Sequence, residues 1–282
     1  MKLIDIKKIF YSELENVFEK NEIDTFIKRT AEEYLNLKPF ELALNTDMFI
    51  EKPKEEMFLK AVSELKKEKP LQQILGKTYF YGLEFIIKEH VLIPRPETEE
   101  LVDWIVNDNK LSPLGLNILD IGTGSGCIAV SLAKNLPGSE VFAIDVSKEA
   151  LIIARENAEK NNVEVGFIKM DILKARQLPS QFDVIVSNPP YVRTLEKNTI
   201  KKNVLEYEPH LALFVDDDDP LLFYDKISKL SINHLKEKGS LYFEINQYLG
   251  KELVELLKKN GLKKIELKTD FFGNNRFIKC IK

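Results

Sequence analysis

From about residue 115 onward the chain alternates between two periodicities, and this limits its fold more than any other feature. "LNILDIG" is a short apolar run ending in glycine, and "CIAVSLAKNL" after it has helical spacing. "EVFAIDV" leads into "KEALIIARENAEKN", and "VGFIKMD" and "FDVIVSN" are further strand-like runs. "LLFYDKISKLSINHL", "GSLYFEIN" and "KELVELLKKNG" give helix, strand, helix, and "KKIELKTD" and "NRFIKCIK" close the chain. Strands interleaved with helices predict an open, largely parallel sheet covered on both faces. The last two strands have no helix between them, so they must pair antiparallel at one edge.

Residues 1–75 carry no strand pattern. Leu3, Ile6, Ile9, Phe10, Leu14, Val17 and Phe18 recur at helical spacing, as do Ile23, Phe26, Ile27, Ala31, Tyr34 and Leu35. Pro53 opens a further helix with Met57, Phe58, Ala61, Val62 and Leu65 on one face. A small all-α bundle is predicted, with 13 Lys and Arg against 15 Asp and Glu over residues 1–75. In "TYFYGLEFIIKEHVLIPR", Gly82 separates two β-rich runs and predicts a linking hairpin over 76–95. The α/β domain then takes 96–282.

A net charge of −4 leaves no broad cationic footprint for a nucleic-acid backbone, so no direct nucleic-acid partner is expected. Cys127 and Cys280 cannot frame a disulfide scaffold, and neither has a neighbour at metal-ligand spacing, so no metal is expected. Asp5, Lys7, Lys8 and Glu13 interrupt the amphipathic N-terminus, and no long apolar run occurs anywhere. The expectation is a cytoplasmic protein with no membrane partner.

In a doubly wound sheet, ligands lie beyond the carboxyl ends of the strands. The first strand ends in "LDIGTGSG", whose glycines let the backbone turn tightly and approach a ligand. The dinucleotide fingerprint places its third glycine one position later, where this chain has Cys127, which argues against a dehydrogenase. Asp120, just before the turn, suits a cationic ligand better than a phosphate. Asp145, ending the second strand, can accept hydrogen bonds from a ribose diol, while Ser147 is better placed to cap the next helix. Asp171, ending the third strand beside Ile172, offers a carboxylate and an apolar face to an adenine.

The fourth strand ends in "NPPY". The residue before a proline is held extended, so Asn188 and Pro189 are both stiffened. The side-chain oxygen of Asn188 and the main-chain oxygen of Pro189 can then form a rigid pair of acceptors. A planar –NH2 group has two donors to offer them. Tyr191 supplies a wall for a flat group. A nucleoside site beside a clamp for planar nitrogen points to methyl transfer from a sulfonium donor.

"DIGTGSG", Asp145 and "NPPY" resemble the class I S-adenosylmethionine-dependent methyltransferases that act on planar nitrogens. With "LQQILGKTYFYGLEF" (71–85), "VLIPRPETEELV" (91–102), "YEPHLALF" (207–214) and "DFFGNNR" (270–276), nearly the whole chain resembles the HemK/PrmC family, the peptide-chain release factor glutamine methyltransferases. The resemblance implies a Rossmann-like methyltransferase domain with a mostly parallel seven-stranded sheet and an antiparallel edge. It implies S-adenosyl-L-methionine as cofactor, S-adenosyl-L-homocysteine as product, and class 1 release factors as protein partners; a monomer is expected. The methyl acceptor would be the side-chain amide nitrogen of the glutamine in their Gly-Gly-Gln motif, with residues 1–75 as a substrate-docking domain. By the same resemblance Gly122, Thr123, Gly124, Ser125, Gly126 and Asp145 would hold the cofactor, and Asp120, Asp171, Ile172 and Asn188 join them from their places at the strand ends. Asn188, Pro189, Pro190 and Tyr191 would hold the glutamine. Arg95 would lie near the pocket, as a substrate or inter-domain anchor or as a structural ion pair. A DNA or RNA amino-group methyltransferase using the same NPPY clamp is the alternative. Where the family usually has "DG" this chain reads "FVDDDDPLLFY", and the acidic run 216–219 is read as solvated loop.

Overall fold

The computed structural model describes residues 1–112 and 115–282. The chain begins with helices α1 (Leu3–Leu14), α2 (Lys20–Leu35), α3 (Pro39–Leu44), α4 (Lys52–Leu65) and α5 (Leu71–Leu75). A hairpin of β1 (Lys77–Phe80) and β2 (Leu83–Ile86) precedes α6 (Pro96–Asn109). The alternating region follows as β3 (Asn117–Ile121), α7 (Cys127–Asn135), β4 (Glu140–Asp145), α8 (Lys148–Lys160), β5 (Gly166–Lys169) and β6 (Phe182–Ser187). After β6 come short pieces: β7 (Val192–Arg193), a 3-10 turn (Thr194–Thr199), α9 (Lys202–Tyr207), α10 (His210–Leu213) and β8 (Phe214–Val215). The chain ends in α11 (Leu222–His234), β9 (Leu235–Glu244), α12 (Gly250–Lys259), β10 (Lys263–Thr269) and β11 (Asn275–Ile281). Among the described residues no helix is long and apolar enough to cross a membrane.

The contacts divide this chain into two compact units. The first comprises Met1–Gly76 and Lys201–Tyr207. Its core takes Leu3, Ile6, Phe10 and Leu14 from α1, the three-and-four spacing that keeps side chains on one helical face. Ile23, Ile27 and Ala31 of α2 and Phe58, Val62 and Leu65 of α4 complete it. Phe10 and Tyr34 both meet Phe58 edge to face, at 6.3 and 5.1 Å between ring centres.

The second unit comprises Lys77–Ile200 and Glu208–Lys282. Its seven-stranded sheet has the order β10-β11-β9-β6-β3-β4-β5. β3, β4, β5, β6 and β9 are mutually parallel, and β11 runs against both β9 and β10. Successive side chains on each strand point to opposite faces. Thus Ile118, Val184, Val186, Val141 and Tyr242 pack with Leu101, Ile105, Ile128 and Leu132 on one side. Leu119, Ile121, Ile185, Leu241 and Phe243 pack with Tyr224, Ile227, Leu253 and Leu257 on the other. Covering both faces is what allows these strands to be continuously apolar. The hairpin turns at Tyr81 and Gly82, both at positive φ (48° and 74°), the conformation a two-residue turn requires.

Candidate active site

β3 and β6 are neighbours with Ile121 opposite Ser187, so the segments that follow them start side by side. Strand order reverses here, since β4 and β5 lie on one side of β3 and β6 on the other. Such a switch point opens a crevice at the carboxyl ends of the strands. The Ser187 hydroxyl donates to Ile121 O at 2.7 Å and fastens the two ends together.

After Ile121 the chain turns sharply, and the N–H groups of Gly122 and Thr123 both donate to Ile144 O of β4 (2.9 and 3.1 Å). Gly122, Gly124 and Gly126 have φ of 76°, 55° and 82°, the left-handed region that favours glycine. Their surroundings differ. A Cβ on Gly126 would stand 3.0 Å from Ala154 Cβ, so close packing with α8 demands glycine there. A Cβ on Gly122 or Gly124 would meet nothing within 4 Å, so these two face open space from which a ligand can approach the backbone.

Three carboxylates surround this turn. Asp120 is completely buried; Thr123 Oγ1 donates to its Oδ2 at 2.6 Å, and Oδ1 has no partner. Burial pushes its pKa up to about 7 against the pull of the Thr123 hydroxyl, with the Asp145 charge adding to the rise. Asp145 bridges the site: Gly124 N–H donates to Oδ2 and Ser147 N–H to Oδ1, each at 2.9 Å. Its pKa is also raised by burial, with those N–H groups working in the opposite direction. Ser147, not Asp145, caps α8 by accepting from Ala150 N–H at 3.1 Å. Asp171 lies beyond β5, where Met170 N–H donates to Asp145 O at 2.9 Å. Its carboxylate is ion-paired with Lys174 at 2.9 Å, which lowers its pKa, and Ile172 packs on the sheet core. An orphaned buried oxygen, an open glycine turn and a carboxylate at the next strand end fit a cationic nucleoside such as S-adenosylmethionine.

The Asn188-Pro189-Pro190-Tyr191 segment follows Ser187. Pro189 is buried, while Asn188, Pro190 and Tyr191 are partly exposed. Asn188 Nδ2 lies 3.4 Å from Thr98 Oγ1. Among the described residues no hydrogen bond ends on Asn188 Oδ1 or Pro189 O. The Tyr191 hydroxyl donates to Glu244 Oε1 at 3.1 Å, and its carbonyl accepts from Asn246 Nδ2 at 3.0 Å. Burial and the nearby Glu244 hold the phenol pKa well above its ordinary value. Glu244 is itself buried, and its pKa is raised by desolvation against its hydrogen bonds from Thr98 and Tyr191.

The structure therefore brings Asp120, Gly122, Thr123, Gly124 and Asp145 into one hydrogen-bonded group, with Asn188 starting beside it. Arg95 is close enough for its charge to act on the Tyr191 phenol. Its Nη2 pairs with Glu208 Oε1 at 2.5 Å, and the buried Glu208 also accepts from Ile93 N–H at 3.0 Å. Asp216, Asp217, Asp218 and Asp219 are exposed, and Asp217 accepts from Leu195 N–H at 3.0 Å. Thr98, Glu208 and Glu244 were not singled out from the sequence. Glu244 had a usable signal, a carboxylate ending the apolar strand "SLYFEIN" at the edge where ligands gather.

Residues 101–211 match the family described as the methyltransferase small domain. A protein of Flavobacterium psychrophilum called release factor glutamine methyltransferase is 54% identical over 272 residues, 96% of this chain and 95% of that one. A protein of the same name from Bacteroides thetaiotaomicron is 40% identical over 266 residues, 94% of this chain and 95% of that one. In fold, the crystal structure of a methyltransferase from Pyrococcus furiosus aligns with a TM-score of 0.53 at 20% identity, covering 82% of this chain and 99% of that one.

Proposed function

This chain belongs to the release factor glutamine methyltransferase family, and from that premise we propose how its residues perform the reaction. It transfers a methyl group from S-adenosylmethionine to the glutamine of peptide chain release factors. The acceptor atom is the side-chain amide nitrogen of the Gly-Gly-Gln glutamine. The observation that carries the reading is the pair of acceptors at the end of β6, Asn188 Oδ1 and Pro189 O, which no protein donor engages among the described residues.

S-adenosylmethionine, when bound, supplies an electrophilic methyl carbon on a sulfonium. Asp145 and the open faces of Gly122 and Gly124 would hold it, with Asp120 as the counter-charge. An amide nitrogen is a poor nucleophile because its lone pair is delocalised into the carbonyl. Two fixed acceptors on its N–H bonds set the amide plane and turn the π lone pair outward, toward the glycine turn. They also favour the positive charge that develops on nitrogen as the N–C bond forms and the S–C bond breaks, because they were oriented before the reaction began. One of the two N–H protons is then lost to leave the secondary amide. Alignment of this kind can supply on the order of 7–11 kcal/mol of the barrier. Tyr191, anchored through its hydroxyl to Glu244, keeps the segment from shifting as the substrate enters.

Residues 1–75 are the docking domain in this reading, supported by the exposed Phe40, Leu44 and Phe49 on the helical unit. A cytoplasmic enzyme belongs to this reading, since a release factor substrate works with the ribosome. A nucleic-acid amino-group methyltransferase would need the cationic surface that a net charge of −4 does not favour. The deciding assay is labelled methyl transfer to a release factor and to the same factor with its Gly-Gly-Gln glutamine changed to alanine. Label is expected on the first alone. Equal labelling of both, or of neither, defeats the reading.

A further inference from the structure

Asn188 works as an acceptor only if its carboxamide is turned the right way round. A half-turn about the last side-chain bond would present a donor to the substrate instead. The oxygen and nitrogen of the group are nearly the same size, so packing cannot choose between them, and a hydrogen-bond partner of fixed polarity must. Thr98 is that partner. A threonine hydroxyl has one proton, and here it is committed to Glu244 Oε2 at 2.7 Å. What remains toward Asn188 is a lone pair, and only the –NH2 end can meet a lone pair. Nδ2 lies there, at 3.4 Å.

Glu244 is a suitable origin for this polarity. Its other oxygen accepts from the Tyr191 hydroxyl at 3.1 Å, so both oxygens act as acceptors and the order runs one way, Glu244 to Thr98 to Asn188. Thr98 (3% exposed) and Glu244 (1% exposed) are both buried, so their influence must pass through Asn188 and Tyr191. Arg276 lends its positive field to Glu244 but gives its Nε hydrogen bond to Asp270 at 3.1 Å. A carboxylate buried without a bonded cation is an expensive way to fill space. An apolar residue of that size would be cheaper, which favours a directing role over a packing one.

We propose that Thr98 and Glu244 are positioning residues that fix the flip state of the Asn188 carboxamide, so that Oδ1 faces the substrate amide. The proposal rests on Asn188 being the amide clamp and adds what makes it one. It accounts for Thr98 in "PRPETEELV" and for Glu244 at the end of β9.

The test uses the full chain with Thr98→Val, which keeps the volume and loses the hydroxyl, Thr98→Ser, which keeps the hydroxyl, and Asn188→Ala as reference. Thr98→Val is expected to lower kcat about 10- to 100-fold, the range for partners that orient a functional group from behind. The calorimetric Kd for S-adenosylmethionine should stay unchanged, and Thr98→Ser should recover most of the rate. Thr98→Val combined with Asn188→Ala should be no slower than Asn188→Ala alone, as expected for two residues acting through one group. Wild-type kcat in Thr98→Val beside a slow Asn188→Ala, multiplying losses in the double variant, or equal losses in Val and Ser would overturn the positioning role. Full turnover in Asn188→Ala would overturn the clamp itself, and this proposal with it.

Discussion

Both oxygens of Asp120 lie out of reach of solvent, yet only Oδ2 has a hydrogen-bond partner. The unfolded chain gives up this proton near the ordinary 3.8, and the fold keeps it to about 7. Between those values the folded state carries a proton that the unfolded state has lost. The group's contribution to stability therefore falls as pH rises through that window and is level above it. Asp120→Asn removes the titration. The melting temperature of the wild type, relative to the Asn variant, should decline from about pH 4 to about pH 7 and stay low beyond. Two parallel curves would show that Asp120 ionises normally. A carboxyl held in this way becomes a charge once a cation shares its site. Binding of S-adenosylmethionine near neutral pH should then release protons, measured by calorimetry in buffers of different ionisation enthalpy. The Asn variant should bind more weakly and without the release.

Elements here are held together by polar residues that local pattern does not reveal. Asn157 sits in α8 among Glu, Ala and Lys, and its composition reads as solvated helix surface. It is instead wholly buried: Oδ1 accepts from Ile86 N–H at 2.6 Å, and Nδ2 donates to Ile86 O at 3.1 Å and Ser125 O at 2.9 Å. One amide thus ties the β1–β2 hairpin and the glycine turn to the same helix. Asn157→Ala orphans those groups at roughly 1–3 kcal/mol each, and should lower the denaturant midpoint while leaving the slope unchanged. Asn157→Asp should be worse still, because a carboxylate would face two carbonyls it cannot donate to. The reverse ranking would mean that volume, not hydrogen bonding, matters at this position. The same contrast explains what could be read from sequence alone. The strand–helix alternation, the turn at Gly82 and the glycines of the first loop depend on neighbours a few residues away. The side-chain partners of Asn157, Thr98 and Glu244 lie 32 to 146 residues off, and no local period records them.

At the scale of the whole molecule the chain moves between its two units three times, at Gly76, at Ile200 and at Tyr207. The middle excursion is short. Lys201–Tyr207 joins the helical unit, and the very next residue, Glu208, belongs to the sheet unit, where it holds Arg95 and Ile93. "NVLEY" is a brief amphipathic run with nothing in it to say which core it joins, so the sequence carried no mark of this segment. Among the contacts that fasten it, Tyr207 Oη donates to Lys67 O at 2.9 Å, Gln73 Nε2 donates to Tyr207 O at 2.8 Å, and Lys202 pairs with Glu68 at 3.2 Å. The ion pair is exposed and adds little beside the two bonds at Tyr207. A segment whose helix α9 buries no residue opens locally, without unfolding the apolar cores elsewhere. Tyr207→Phe removes one of the two bonds, worth about 1 kcal/mol, and should make the open form roughly five-fold more populated. Trypsin cleavage at Lys201 or Lys202 should accelerate by a similar factor, since cleavage follows the open population when reclosing is fast. The melting temperature should barely change. Unchanged cleavage would mean that Tyr207 is not the fastening point, and a melting temperature falling in step with cleavage would mean that the segment opens only when the whole unit does.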